Sequence, residues 1–219
     1  MTGYTLIPKL ILGNKTYSSW SLRGWLPVRQ AGLDVTEVVI PLRRPETRAE
    51  ILKHSPTGKV PTLIADDEPI WDSLAIAETL AERFPDKGLW PAGARARQVA
   101  RSVTAEMHSG FPALRRDLPM DLGRHHPGHR IGAETQADIG RICDIWRDCR
   151  ANFGGGGDFL FGDFCIADAF YAPVVTRFRT YDVTLDAVCE AYCAAVTAHP
   201  WMQEWSAAAA EEPWVIDFD

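Results

Sequence analysis

Three serines in four positions, Ser18, Ser19 and Ser21, flank Trp20 in the stretch TYSSWSLRGW. Upstream, KLILG (Lys9 to Gly13) reads as a buried strand. Downstream, Leu22, Trp25, Leu26 and Arg29 recur at helical spacing, and Gly32 supplies a stop. The hydroxyls therefore stand where a strand ends and a helix begins. Such a junction offers unpaired backbone N–H groups and the positive end of a helix dipole, so it can hold an anion. A second constellation lies between Ser55 and Glu82: Lys59, Val60-Pro61 and Asp72-Ser73. Val60, preceding a proline, is biased to an extended backbone. Asp72 and Ser73 open a helix whose free N–H groups can take a carboxylate, and Lys59 adds a point charge. Each residue alone has an ordinary role as a cap, a turn entry or a solvated charge; their combination points to binding.

The elements that must position these residues follow from periodicity. A strand over 9–13, a helix over about 19–31 and a strand over 34–42 precede a short helix around 49–54. KVPTLIADDEPIWD then reads as a hairpin turning at Asp66-Asp67, followed by a helix from about Ser73 to Phe84. This β-α-β-α-β-β-α order predicts an α/β unit on a mixed sheet. Beyond the Pro- and Gly-rich PDKGLWPAG, strand signals nearly vanish. Helices are predicted over about 94–109, 132–152, 166–180, 186–198 and 201–210. We read residues 1–85 as one domain, 86–93 as a linker and 94–219 as an all-helical domain, with a ligand cleft where the two meet.

Composition narrows the class. The chain has 219 residues, a formal net charge of −6 and an ordinary 46% of hydrophobic residues, which argues against nonspecific nucleic-acid binding. No Lys or Arg follows Arg179, while eight carboxylates do. Five cysteines without framework spacing favour a reducing cytoplasm. No apolar run reaches the roughly 20 residues of a membrane span, and the first residues lack the pattern of a signal peptide. RHHPGH is read as a solvated loop rather than a metal site, Cys189 and Cys193 as buried thiols, and GGGG as no phosphate loop.

The segment SPTGKVPTLIADDEPIWDSLAIAETLAE, together with SSWSLRGW, resembles the glutathione site of cytosolic glutathione transferases of the serine type, nearest the zeta class. The resemblance implies a thioredoxin-like N-terminal domain with a four-stranded mixed sheet, followed by an all-α domain. It further implies a cytoplasmic homodimer that uses glutathione as co-substrate and no metal. Ser18 aligns with the serine that activates the glutathione thiol, with Ser19 the nearest alternative. Trp20, Lys59, Val60, Pro61, Asp72 and Ser73 are then the glutathione-binding residues, with the Val60–Pro61 bond cis and Trp20 a wall beside the thiol. Met107, His108, Phe111 and Arg115 are candidates for the pocket of a small apolar electrophile. Glutathione-dependent isomerases, dehalogenases and peroxidases, or a non-catalytic binding protein, are the alternatives on the same fold. Two departures stand out. The zeta class has a cysteine where this chain has Trp20, which speaks against a maleylacetoacetate isomerase and excludes a glutaredoxin-like thiol there. In FGDFCIADAF, which is similar to the family's capping segment, Cys165 replaces a Ser or Thr, a weaker cap for the helix that follows. For the dimer, three arginines between Arg95 and Arg101 are expected to meet Asp66, Asp67 and Glu68 of a partner subunit.

Overall fold

The structure, a computed structural model, describes residues 6–218. A four-stranded sheet is built from β1 (Lys9–Gly13), β2 (Thr36–Ile40), β3 (Thr62–Ala65) and β4 (Glu68–Ile70), in the order β2-β1-β3-β4. The β1–β2 pair is parallel, with Lys9 opposite Thr36 and Gly13 opposite Ile40, whereas β1–β3 and β3–β4 are antiparallel. Helices α1 (Ser19–Ala31), α2 (Thr47–Leu52) and α3 (Ser73–Arg83) accompany the sheet. This is the mixed α/β unit read from the sequence, and a helical region follows it. That region comprises α4 (Ala94–Ser109), α5 (Pro112–Asp117), α6 (Ala133–Phe153), α7 (Ile166–Thr180), α8 (Ala187–Ala198) and α9 (Pro200–Ala210). No helix among the described residues is long and apolar enough to cross a membrane.

Local chemistry explains most boundaries. Asp66 and Asp67 both take positive φ, 51° and 65°, as a two-residue hairpin turn demands. Helix α1 stops at Gly32 in the left-handed conformation. The second strand is shorter than its apolar run over 34–42, because its length is set by five paired residues of β1 and Pro41 has no N–H to offer. Helix α2 begins and ends two residues earlier than its pattern suggested. Helix α5 had no counterpart in the sequence reading. It has only six residues, starts at Pro112 and follows Phe111 at φ 59°, so it is too short to show a period.

One continuous core runs through both regions, from Leu10 and Leu12 of the sheet to Trp146, Phe178 and Trp205 of the helices. Helix α1 lies at its centre, packed against α3 on one side and α7 on the other. Gly24 makes the closest approach possible, since a Cβ there would stand 2.6 Å from the Pro61 ring. The arginines of the Arg95–Arg101 stretch find partners within their own chain. Arg95 lies over the Phe153 ring, Arg97 donates to the Pro91 and Ala92 carbonyls, and Arg101 pairs with Glu78 at 3.5 Å. Asp66 pairs with Arg83 at 3.6 Å.

The start of α7 is held by a buried carboxylate. Asp168 accepts from the Leu160 and Cys165 N–H groups at 3.1 and 2.9 Å and from the Tyr192 hydroxyl at 3.0 Å. Cys165 occupies the N-cap, and the reciprocal box closes with sulfur in place of a hydroxyl. Burial, opposed by those hydrogen bonds, pushes the Asp168 carboxyl up to about 6. The folded state thus keeps this proton to higher pH than the unfolded chain, and the group's contribution to stability falls as pH rises from about 4 to about 6. Asp168→Asn has no proton to lose and replaces only one accepting oxygen. Urea midpoints should show it less stable than wild type at pH 5. They should also show it lacking the part of the wild-type decline towards pH 7 that this carboxyl causes, on the order of 2–3 kcal/mol.

Candidate functional site

At the N-terminus of α1, Ser18 is the N-cap residue and its Oγ accepts from the Ser21 N–H at 3.3 Å. The Ser18 hydroxyl donates to the Ser21 Oγ at 2.8 Å. Ser21, fully buried, also accepts from the N–H of Gly13 at 2.9 Å, so its hydroxyl ties the end of β1 to the start of α1. Ser19 points elsewhere: its Oγ accepts from Arg177 on α7 at 3.3 Å.

A cleft of about 620 Å³ opens beside Ser18. Trp20, Lys59, Val60, Pro61, Asp72 and Ser73 line it, and Leu42, Thr47, Ile51, Thr57, Gly58 and Trp71 complete its walls. Seven of the sequence-derived candidates are thus brought together, from the β1–α1 junction, the loop before β3 and the start of α3. The Val60–Pro61 bond is cis. Val60 lies beyond the last β1–β3 pair, Ile11 with Thr62, so its N–H and C=O have no strand partner. Asp72 caps α3, accepting from the Leu74 N–H at 2.9 Å. Ser73 is 0% exposed, yet its hydroxyl has no hydrogen-bond partner among the described residues.

The cleft wall does not include Ser19, Met107, His108, Phe111 or Arg115. Met107 is fully buried and Phe111 nearly so, both in the apolar core. His108 reaches across from α4: its Nε2 is 3.2 Å from Asp72 Oδ2, and its ring meets the edge of Trp20 at 5.2 Å. Arg115 turns back onto α4, donating to the carbonyls of Gly110, Met107 and His108, and its guanidinium lies 5.0 Å from the Trp20 ring centre.

Two residues that sequence reasoning missed complete the picture. Arg23, 0% exposed on α1, donates its Nε to the Phe170 carbonyl at 3.0 Å, while both Nη atoms are buried without a partner among the described residues. Its guanidinium sits 4.9 Å from the Trp20 ring centre. Arg177 donates to the Leu118 and Pro173 carbonyls as well as to Ser19. None of Arg23, Arg115 and Arg177 forms an ion pair among the described residues. Burial above all, with the neighbouring guanidiniums, lowers Arg23 well below its ordinary value. The same causes bring Arg177 down to about 9, and burial lowers Arg115 against the pull of Asp138. The available signal was a lone arginine on each of two otherwise apolar helix faces.

Elsewhere the histidine tract makes ordinary contacts. His126 stacks on Tyr181, His129 meets the same ring, and His125 pairs with Asp182 at 2.8 Å. No group of three or more metal-ligating side chains occurs among the described residues. All five cysteines are free and buried.

Residues 17–83 match the family described as glutathione S-transferase, N-terminal domain. A zeta-class glutathione S-transferase from Euphorbia esula is 34% identical over 186 residues, 78% of this chain and 79% of that one. A probable maleylacetoacetate isomerase from Caenorhabditis elegans is 32% identical over 96 residues, so the match spans 44% of this chain and 44% of the relative. Among solved structures, a glutathione transferase homolog from Burkholderia gl BGR1 with bound glutathione superposes with a TM-score of 0.73 at 22% identity. It covers 94% of this chain and 100% of the other, a likeness of fold.

The Ser18–Ser21–Gly13 chain makes a prediction that needs no ligand. Ser21→Ala leaves the Gly13 N–H buried and unpaired, and should lower stability by about 1–3 kcal/mol in denaturant titration. Ser18→Ala, at the rim of the cleft, should lose only an N-cap, about 1 kcal/mol.

Proposed function

The chain belongs to the glutathione S-transferase family, and on that premise we propose that it binds glutathione in the cleft beside Ser18 and holds its thiol as a thiolate for attack on an electrophile. The unpartnered Ser73 hydroxyl carries this reading. A buried hydroxyl without a partner costs about 1–3 kcal/mol, and at the N-terminus of α3 the group that relieves it best is a carboxylate. The γ-glutamyl carboxylate fits there. Asp72 faces the ammonium group, and Val60 pairs with the cysteinyl backbone as an added strand would. Lys59 meets the glycyl carboxylate. A glutathione laid out in this way brings its sulfur towards Ser18.

Ser18 rather than Ser19 is the activating hydroxyl in this reading, because Ser19 is engaged by Arg177 on the far side of the helix end. Turning two hydroxyls reverses the Ser18–Ser21 bond without moving a heavy atom. Ser21, still accepting from Gly13, donates to Ser18, and Ser18 donates to sulfur. A thiol of the cysteine type has a pKa of about 8.5, and lowering it by two units requires about 2.7 kcal/mol. A charge-assisted hydrogen bond at a helix N-terminus supplies energy of that order. Ultraviolet titration of bound glutathione tests the proposal directly, since a thiolate band near neutral pH is expected. Ser18→Ala should keep glutathione affinity within a few-fold and slow turnover by roughly ten- to a thousand-fold, equivalent to about 1.4–4 kcal/mol. Binding with no thiolate band would make the protein a glutathione carrier instead.

A second reading is favoured by the three arginines without counter-ions. They suit an electrophile that bears a carboxylate, not the small apolar one expected from the sequence. With such a substrate the reaction closes without net transfer: the thiolate adds to a conjugated cis double bond, the new single bond rotates, and elimination returns the trans alkene and glutathione. Trp20 in place of a cysteine counted against such an isomerase. In this chain Trp20 instead lies beside two guanidiniums, 4.9 and 5.0 Å from its ring centre. Arg23→Met sacrifices one hydrogen bond and two unpaired nitrogens, so folding should persist. For a cis-enedioate substrate kcat/KM should fall about ten- to a hundredfold, while conjugation of a neutral haloarene stays within about threefold. Equal effects on both substrates would discard this reading. A cytoplasmic homodimer, as in the family, accompanies both readings.

A further inference from the structure

The loop that delivers Ser18, residues 14–18, makes few hydrogen bonds of its own. The Tyr17 and Ser18 N–H groups close a turn on the Asn14 carbonyl at 3.2 and 2.8 Å. Two of its polar groups meet β2 and the residues after it, the Leu42 N–H donating to Asn14 Oδ1 at 2.7 Å and Lys15 pairing with Glu37 at 2.6 Å, and others are taken up from far along the chain. Trp205 of α9 donates to the Lys15 carbonyl at 3.0 Å. The segment after α9, residues 211–218, supplies more. The Glu212 carboxylate accepts from the Lys15 N–H at 2.7 Å, and from the Thr16 N–H and hydroxyl at 3.2 Å each. This is a bidentate cap on the two amides that precede Tyr17 and Ser18. Six residues later, Phe218 meets the Tyr17 ring edge-on at 5.7 Å.

The same segment reaches the opposite wall of the cleft. The Arg43 guanidinium lies 4.8 Å from the Phe218 ring centre and donates to the Asp217 carbonyl at 3.4 Å. Arg43 follows Leu42 and leads into α2, and Leu42, Thr47 and Ile51 line the cleft. Between these ends the segment is anchored by buried Ile216 and by Arg124, which donates to the Ile216 carbonyl at 2.6 Å and pairs with Asp217 at 3.1 Å. Residues 211–218 thus span the back of the site, fastened to the Ser18 loop by one carboxylate and one ring and to the loop before α2 by an arginine.

We propose that this segment is a strap that braces the Lys15–Ser18 backbone, beside the direct Leu42–Asn14 hydrogen bond that joins the loop to the α2 side, with Glu212 and Phe218 as positioning residues for the glutathione thiol. The proposal rests on the reading of the cleft as a glutathione site. Neither residue lines the cleft; each acts through the backbone that presents Ser18. The charge of Glu212 matters, since one carboxylate serves two backbone amides and shares the Thr16 hydroxyl with the Ala209 carbonyl, which a neutral amide cannot replace in full.

Three variants test it: Glu212→Ala, Glu212→Gln and a chain ending at Glu211. Amide hydrogen exchange reads the strap without any ligand. Lys15 and Thr16 should exchange at least about tenfold faster in Glu212→Ala and in the shortened chain, less so in Glu212→Gln, while Leu10 and Leu12 of β1 stay protected. Ultraviolet titration and calorimetry then read positioning. The thiol of bound glutathione should titrate at higher pH than in wild type, and affinity should fall about five- to twentyfold, with partial recovery in Glu212→Gln. Unchanged exchange at Lys15 and Thr16 would overturn the strap. Faster exchange with wild-type thiol titration and affinity would also overturn it, by making the segment a structural cover alone. If the wild-type protein itself binds no glutathione, the transferase reading fails on its own terms, and the exchange result alone then supports or sinks the strap.

Discussion

The N-terminus of helix α1 has to be held still from several directions, and much of the structure is arranged around that need. The helix is buried on nearly every side, between α3 of the sheet region and α7 of the helical region. Ser21 ties its first turn to the end of β1, and Gly24 lets Pro61 close against it. A helix so enclosed cannot shift without disturbing the core on both sides, since close-packed interiors transmit displacement and do not absorb it. The hydroxyl at its cap therefore keeps a fixed relation to Val60, Pro61 and Ser73, which come from other elements. In this way packing supplies the preorganisation that the proposed hydrogen bond to a glutathione thiol would require.

Charge is distributed with a similar asymmetry. The chain is acidic overall, yet the interior behind Trp20 gathers three arginines and no paired carboxylate. Burying a cation without a counter-ion is expensive, and here backbone carbonyls and aromatic faces relieve only part of it. Asp72, the nearest carboxylate of the cleft, is held by the cap of α3 and by His108 and so does not neutralise the cluster. Through the Trp20 ring, the cluster links α1 to the helical region.

How much of this could be read in advance follows from the range of the physics involved. The α1 and α7 boundaries, the hairpin at Asp66-Asp67 and the starts of α1 and α3 were legible because caps, turns and apolar periods act over a few residues. Helix α5 was not, since six residues opened by a proline show no period. Within the site, Ser18, Val60-Pro61 and Asp72-Ser73 were legible as local motifs, whereas Ser19, Met107 and Phe111 have types that suit a pocket but orientations that only packing assigns.

The amino-acid sequence by itself determined the order of elements, the strand-to-helix junction that carries the serines and the helix start that carries Ser73. Tertiary structure alone decided that Ser19 turns to Arg177, that Asp72 meets His108, and that Arg23 and Arg115 both lie beside the Trp20 ring. It also decided that Glu212 caps a loop almost two hundred residues away. A hydrophobic period announces that a face is buried but says nothing of what it is buried against. Partners separated so widely along the chain are chosen by the packing of whole helices, and that choice is made only when the core closes.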